Sequence, residues 1–292
     1  MPYELVKLKV KPVRDGNKRR SRRNKWWIYG ETAAGLYCAI GRGHNFSSDN
    51  FSKREQRPSL NQVIAISTGV TKYPAFTFLP STSIYSNKIC VLADERFSMF
   101  AILTSDIHGV WAWAQKTSLG GDLHSLVYAH GNIFETFPFP LGFLEHGDGE
   151  LEELGKRFFQ ARQSFMETSK KGLTKFYNDF HDRTKNDDAL TDLRRLQTEI
   201  NGAVWQRYDN NTLELACGFH EVGYLPDGKN TRFTIAEGAR LEVLRRLSQM
   251  NKARFEEQSQ SSSKTRSAIL SEASIEDDAF EDGLFATGGG RT

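Results

Sequence analysis

The run Phe134-Glu135-Thr136-Phe137-Pro138-Phe139-Pro140 limits what this chain can fold into more than any other stretch. Two prolines alternate with aromatic residues. Proline fixes φ near about −65° and offers no N–H, and the residue before it is pushed out of the α region. Such a run can neither continue a helix nor lie in a central strand. It reads as a rigid extended exit from one folded unit into the next, with a boundary at 141/142.

On its N-terminal side the pattern is mixed. Val63-Ile64-Ala65-Ile66-Ser67, Ala75 to Leu79 (stopped by Pro80) and Lys88 to Ala93 are short β-branched or aromatic runs, the pattern of strands. Phe97, Phe100, Ala101, Leu103, Ile107, Val110 and Trp111 recur at three- and four-residue spacing, which predicts one helix over 97–113. On the C-terminal side, after a Gly-rich junction at 142–149, helices dominate. Asp148 is placed to cap a first helix whose opening turn carries Glu150, Glu152 and Glu153, and whose buried face is Leu151, Leu154, Phe158 and Phe165. A second helix starts at Asp187 or Asp188 and presents Leu190, Leu193, Ile200 and Val204. A third opens on a capping box, Thr234 with Glu237, followed by a stripe of Leu241, Leu244 and Leu247. From 257 to 292 serine, glutamine, glycine and acids prevail, and such a segment buries too little apolar surface to offset its ordering entropy. A disordered acidic tail is expected there, with Ile275, Phe280, Leu284 and Phe285 available as a short docking motif.

Charge is unevenly distributed. The net charge is only +3, yet residues 1–60 hold 14 Lys and Arg against five acids. Ten of those cations fall within the first 25 residues, immediately before Trp26-Trp27. A basic front of this density suits a polyanion, because each phosphate it neutralises releases counterions. The tryptophans are expected to anchor the arm to the core rather than stack on bases. The candidate DNA contacts are Lys11, Arg14, Lys18, Arg19, Arg20, Arg22, Arg23 and Lys25 in this basic front, with Arg42, Lys72 and Lys116 beyond it. Base reading needs hydrogen-bonding side chains presented in a groove, and His44, Asn45, Lys53, Arg54, Arg57 and Asn87 join Arg42, Lys72 and Lys116 as candidates. Three widely spaced cysteines (Cys38, Cys90, Cys217) fit a reducing, cytoplasmic setting and show no zinc-ligand spacing. No apolar run is long enough to span a membrane.

Motifs for independent chemistry are missing. The sequence has no glycine-rich strand–turn–helix start for S-adenosylmethionine, no Pro-Pro pair of the kind used to hold a target adenine, and no phosphate loop. Asp106, His108, Asp122 and His124, with Asp94 and Glu135, are close enough in sequence to suggest a metal-dependent nuclease but share no spacing rule. His181-Asp182 looks like a catalytic pair, yet adjacent side chains seldom face each other, so a structural or capping role is expected. No catalytic, cofactor-binding or metal-binding residue is therefore assigned.

Several of these elements, in order, resemble the target-recognition and C-terminal helical regions of MmeI-like and PglX-like adenine-specific DNA methyltransferases. They are Val10-Lys11-Pro12-Val13-Arg14-Asp15 before Trp26-Trp27; Val63 to Ser67; Leu103-Thr104-Ser105-Asp106-Ile107-His108-Gly109-Val110-Trp111; the Phe134–Pro140 run; Gly172 to His181; Leu193-Arg194-Arg195-Leu196; and residues 232–254. The chain departs from the family in lacking the catalytic core, in carrying Gly120-Gly121-Asp122-Leu123-His124-Ser125 where an arginine-rich stretch is usual, and in the reduced segment from Asn201 to Asn210. The resemblance implies a mixed α+β protein. An α/β target-recognition domain (1–141) would precede a helical C-terminal domain (142–256) and the tail (257–292). It implies a non-catalytic specificity module for duplex DNA in restriction–modification or phage defence. The S-adenosylmethionine would be held by a separate methyltransferase polypeptide. The alternative is an orphan remnant that only binds protein partners.

Overall fold

The computed structural model describes residues 2–28, 33–41, 59–117, 124–208 and 213–281. The chain divides into two compact units, one of Met1–Ile64, Phe78–Ile84 and Val91–Glu95, the other of Ala65–Thr77, Tyr85–Cys90 and Arg96–Thr292. The architecture is mixed α+β, as the sequence implied.

The basic lead-in is helical: α1 spans Pro2–Asp15 and α2 spans Arg20–Asn24. Glu4 in the first turn of α1 and Arg14 in its last suit the helix dipole, and Lys11 pairs with Asp15 at 2.6 Å one turn on. The helix α1 buries no residue, and Leu5, Leu8 and Val13 stay exposed. Trp26 is buried, 5.9 Å from Tyr3 and edge-on to Trp27. Trp27 is 56% exposed, so only the first tryptophan acts as the expected anchor. A short α3, Ala34–Ala39, follows, and Ile40 accepts a backbone bond from Leu60.

A three-stranded sheet has the order β2-β1-β3, with β1 at Gln62–Ser67, β2 at Thr77–Pro80 and β3 at Ile89–Leu92. The middle strand buries four successive residues, Val63 to Ile66, which explains its continuous apolar run. Of the run Ala75–Leu79 only the end is strand. Pro80, which cannot donate to a ladder, is tolerated because β2 is an edge.

The larger unit holds the remaining helices. The expected single helix over 97–113 is two: α4 (Phe97–Thr104) and α5 (Asp106–Gln115). Ser105 interrupts them in an extended conformation, ψ 153°, and its hydroxyl caps α5 by accepting the His108 N–H. Next come α6 (His130–Ile133), α7 (Phe143–His146), α8 (Gly149–Ser169), α9 (Leu173–Phe180) and α10 (Asp188–Gln206). Asp148 caps α8 through the Leu151 amide, as its sequence position predicts, and of the two candidate starts of α10 it is Asp187 that caps, through the Leu190 amide. Glu152 of α8 accepts both Phe97 and Ser98 N–H groups, capping α4 from a neighbouring helix. The proline run lies within this unit as a buried knot. Phe137, Pro138, Phe139 and Pro140 are all buried, and Asn251 donates to the Thr136 carbonyl.

The hairpin β4 (Gly218–Glu221) and β5 (Thr231–Thr234) pairs antiparallel, Gly218 opposite Thr234. It overturns the expected capping box. Thr234 is the last residue of β5 and hydrogen-bonds the Asp106 carboxylate, while Glu237 is gripped by Arg240. The final helix α11 (Glu237–Glu281) buries Ala239, Val243 and Leu247. These three residues recur every fourth position; of the expected stripe Leu247 is buried, Leu244 is half-buried and Leu241 is 54% exposed. The helix also continues through residues 257–281, where disorder was expected. No glycine or proline occurs from 239 to 282 to end it. Residues 282–292 lie outside the described residues. Among the described residues no helix is long and apolar enough to cross a membrane.

Candidate nucleic-acid interface

Two sets of cations stand out, one in each compact unit. In the smaller unit Lys18, Arg19, Arg20 and Lys25 are exposed along α2 and its flanks, while Lys11, Arg14, Arg22 and Arg23 are half-buried. The α2 segment is held in shape by local bonds. Asn17 accepts the Arg19 N–H at 3.0 Å, and Arg23 donates to the Asn17 and Lys18 carbonyls. Arg23 thus supports the arm that displays Arg19 and Arg20. Arg42 lies outside the described residues, as do His44, Asn45, Lys53, Arg54 and Arg57.

In the larger unit Lys72 is exposed on the turn after β1. Lys116 is already engaged: its ammonium donates to the Ser125 carbonyl at 3.0 Å and lies 4.6 Å over the Trp113 ring. Trp113 in turn stacks on Tyr224 at 4.3 Å. Asn87 accepts the Thr68 hydroxyl through its carbonyl.

The residues that suggested catalysis are placed otherwise. His108 is fully buried, with Nδ1 3.1 Å from the Leu103 carbonyl and Nε2 3.2 Å from the Tyr128 hydroxyl. A carbonyl can only accept, so Nδ1 carries the proton and Nε2 accepts from the tyrosine. Burial pushes its pKa down to about 3, and the ring stays neutral. Asp106 is held by Asn201 and Thr234, and burial pushes its carboxyl up to about 6 against those hydrogen bonds. His124 bonds the Tyr224 carbonyl. Asp122 lies outside the described residues. Among the described residues no group of three His, Cys, Asp or Glu side chains is arranged to hold a metal ion. His181 and Asp182 do not face each other. His181 accepts the Phe233 N–H and stacks on Tyr73 and Tyr177, while Asp182 takes the Thr184 amide and hydroxyl.

A cavity of about 60 Å³ opens in the larger unit. Its lining joins residues far apart in sequence: Lys72 and Tyr73, Asp106, His181, Tyr224, Arg232 and Arg240. The Arg232 guanidinium lies 5.2 Å over the Tyr73 ring. Burial keeps the His181 pKa well below its ordinary value, and the charges of Arg232 and Arg194 lower it further. Sequence reading singled out Lys72 here and missed Tyr224 and Arg232. Only the alternation of the Thr231-Arg232-Phe233-Thr234 strand hinted at an outward-facing arginine.

Residues 33–141 match the family model described as MmeI, target recognition domain. The match runs from the start of α3 through the Phe134–Pro140 run. Among solved structures the chain is similar to the Type IIL restriction-modification enzyme MmeI in complex with DNA. The two share 14% identity and a TM-score of 0.43, over 73% of this chain and 25% of that one. The chain therefore spans about a quarter of the enzyme's length. No curated protein matches it.

Proposed function

We propose that this chain is a non-catalytic DNA sequence-recognition module of a bacterial adenine-specific DNA methyltransferase or restriction–modification system. The observation that carries the reading is the MmeI target-recognition match at 33–141, set directly behind an exposed basic arm at 18–25. In this reading the arm holds the duplex through its phosphates, which fixes register without reading sequence. Residues of the matched segment read base edges. The helical residues 142–256 dock a separate methyltransferase polypeptide, which holds S-adenosylmethionine and flips out the target adenine. The titratable groups most suggestive of chemistry support a passive role. His108 is neutral with both nitrogens engaged, and Asp106 is tied to Asn201. Cytoplasmic residence and a part in phage defence belong to the same proposal. Among the assigned contacts, Lys11, Arg14, Lys18, Arg19, Arg20, Arg22, Arg23, Lys25, Arg42 and Lys72 carry the phosphate role. Lys116 contributes least, because its ammonium is already satisfied by Ser125 and Trp113.

Selection of a random duplex pool on the purified chain, at two salt concentrations, tests this. Enrichment of one motif that survives the higher salt is expected. Failure to retain duplex even at low salt would overturn the reading.

A further inference from the structure

We propose that the cavity lined by Lys72, Tyr224 and Arg232 is a seat for a single phosphate group. It would clamp one backbone phosphate of the bound duplex. The proposal rests on the DNA-recognition reading above and extends it to a site that the basic arm does not include.

The chemistry of the lining is donor-rich. Three cations, Lys72, Arg232 and Arg240, face one carboxylate, Asp106. That carboxylate already accepts from Asn201 and Thr234. Arg240 is held by both oxygens of Glu237, at 2.6 Å each. Lys72 and Arg232 have no carboxylate partner among the described residues. Arg232 uses Nη1 on the carbonyls of Lys229 and Thr231, and no described acceptor engages its Nε or Nη2. Two neutral donors add to these. His181 accepts the Phe233 N–H at Nδ1, so its proton sits on Nε2, for which the described residues supply no acceptor. The Tyr224 hydroxyl likewise has no described partner, and burial raises its pKa, so it remains a donor. Two cations without a carboxylate partner and two neutral donors around one cavity lack only an acceptor-rich ligand, and phosphate oxygens are acceptors only.

Size narrows the ligand. A water needs roughly 10–15 Å³ of such space, so a cavity of about 60 Å³ holds a few water-sized groups. That is the scale of a tetrahedral oxyanion, not of a flipped nucleobase. The walls are pre-formed. Tyr73 stacks on Tyr177 and His181 and donates to Asn178, while Tyr224 lies flat on Trp113. The guanidinium of Arg232 rests on the Tyr73 face, which fixes its plane. Lys72 comes from the segment matching the target-recognition family and Arg232 from the hairpin beyond it. A phosphate bound here would tie both to the same point on the duplex.

The test uses the full chain and two single variants, Lys72→Gln and Arg232→Gln. Lys72 is exposed, so its variant keeps the fold intact, and melting curves check this for Arg232→Gln. Duplex affinity is measured across a salt series. Separately, inorganic phosphate is titrated at constant ionic strength while the melting temperature is followed. Each variant is expected to weaken binding to all sequences alike and to reduce the slope of log K on log salt by about one phosphate equivalent. Phosphate is expected to raise the melting temperature of the wild type more than that of either variant. If the wild type binds duplex and both variants keep its affinity and slope, the seat is overturned while the recognition function stands. If the wild type binds no duplex, the recognition reading fails. Phosphate stabilisation lost in the variants would then still establish the seat, for free phosphate, and equal stabilisation of all three proteins would overturn it.

Discussion

Asn201 grips Asp106 at two points: its Oδ1 accepts the Asp106 N–H at 2.8 Å, and its Nδ2 donates to the Asp106 Oδ2 at 2.6 Å. This fully buried amide locks the first turn of α5 onto α10, and Gln197 reinforces it by donating to Asn201 Oδ1 and the Thr104 carbonyl. Asn201→Ala removes both bonds, leaving the Asp106 N–H without this acceptor and the buried carboxylate with Thr234 alone. Unsatisfied buried groups cost about 1–3 kcal/mol each, more when charged. A loss of roughly 3 kcal/mol in urea-measured stability is expected at neutral pH. A change within about 0.5 kcal/mol, the range of neutral surface substitutions, would show that the pair is dispensable.

Acid should unfold the protein earlier than its carboxylates alone would, because of His108. The unfolded histidine takes a proton near pH 6.5 and the folded one only near 3. The unfolded state therefore binds more protons between those values, and stability falls as pH drops through that window. The slope is about 1.4 kcal/mol per pH unit, or roughly 2 kcal/mol lost by pH 5. Asp106 works in the opposite sense. Its folded pKa of about 6 lies above its ordinary 3.8, so protonation recovers stability as pH falls between those two values. The stability of wild type minus His108→Gln, measured against pH, isolates the histidine from every other group. That difference should decline steadily below pH 6.5, and a flat difference would mean that the ring is protonated in the fold.

The elements of this protein were most legible where local chemistry decides. Asp148 and Asp187 announce their helices because an N-cap needs only its own next turn. Val63 to Ile66 announces a strand, and its unbroken apolar run fits the central place it takes, with all four residues buried. Thr234 misleads for the opposite reason. Its spacing to Glu237 is a capping box, but Asp106, distant in sequence, claims the threonine, and Arg240, one turn on in the same helix, claims the glutamate. The division of 97–113 at Ser105 was equally hidden, since the apolar spacing runs straight through the break. The family segment could be read from ordered motifs. The cavity could not, because Lys72, His181, Tyr224 and Arg232 meet only after the hairpin folds back.

Gly155 and Gly202 should respond in opposite directions to the same substitution. A Cβ on Gly155 would sit 2.2 Å from the Phe97 carbonyl oxygen and 2.9 Å from its carbon, where α8 crosses α4. Backbone cannot yield as a flexible side chain can, so Gly155→Ala should cost about 1–3 kcal/mol or more, the range of overpacking. A Cβ on Gly202, inside α10, meets nothing within 4 Å. Gly202→Ala should stabilise by about 0.5–1 kcal/mol through helix propensity. Thermal melts of the two variants, side by side, decide it. Equal effects would contradict the close helix crossing.

Arg194 ties the connection between α9 and α10 together. It donates to the carbonyls of Asp179, Phe180, Asp182 and Lys185 and to the Asn186 side chain, and it lies 4.8 Å over the Phe219 ring. Arg194→Met keeps much of the packing volume but leaves four carbonyls without this donor, and should cost about 3 kcal/mol or more. Arg194→Lys should rescue little, because a single ammonium cannot reproduce a planar fork of donors. Hydrogen exchange across residues 179–187 gives the local readout. Rescue by lysine to wild-type protection would show that charge alone, not geometry, is required.

The basic arm can be tested without disturbing its own support. Arg23 bonds the carbonyls of Asn17 and Lys18, so replacing it would confuse loss of charge with loss of shape. Arg19 and Arg20 are exposed, and Arg20 begins α2. The double substitution Arg19→Ala, Arg20→Ala should therefore leave the melting temperature unchanged. If both cations neutralise phosphates, the slope of log K on log salt should fall by about 1.8, since each phosphate contact contributes about 0.9. The loss should be uniform across duplex sequences, because phosphate contacts carry no sequence information. A slope equal to that of the wild type would remove the arm from the DNA interface, and a loss confined to one sequence would move it from phosphate holding to base reading.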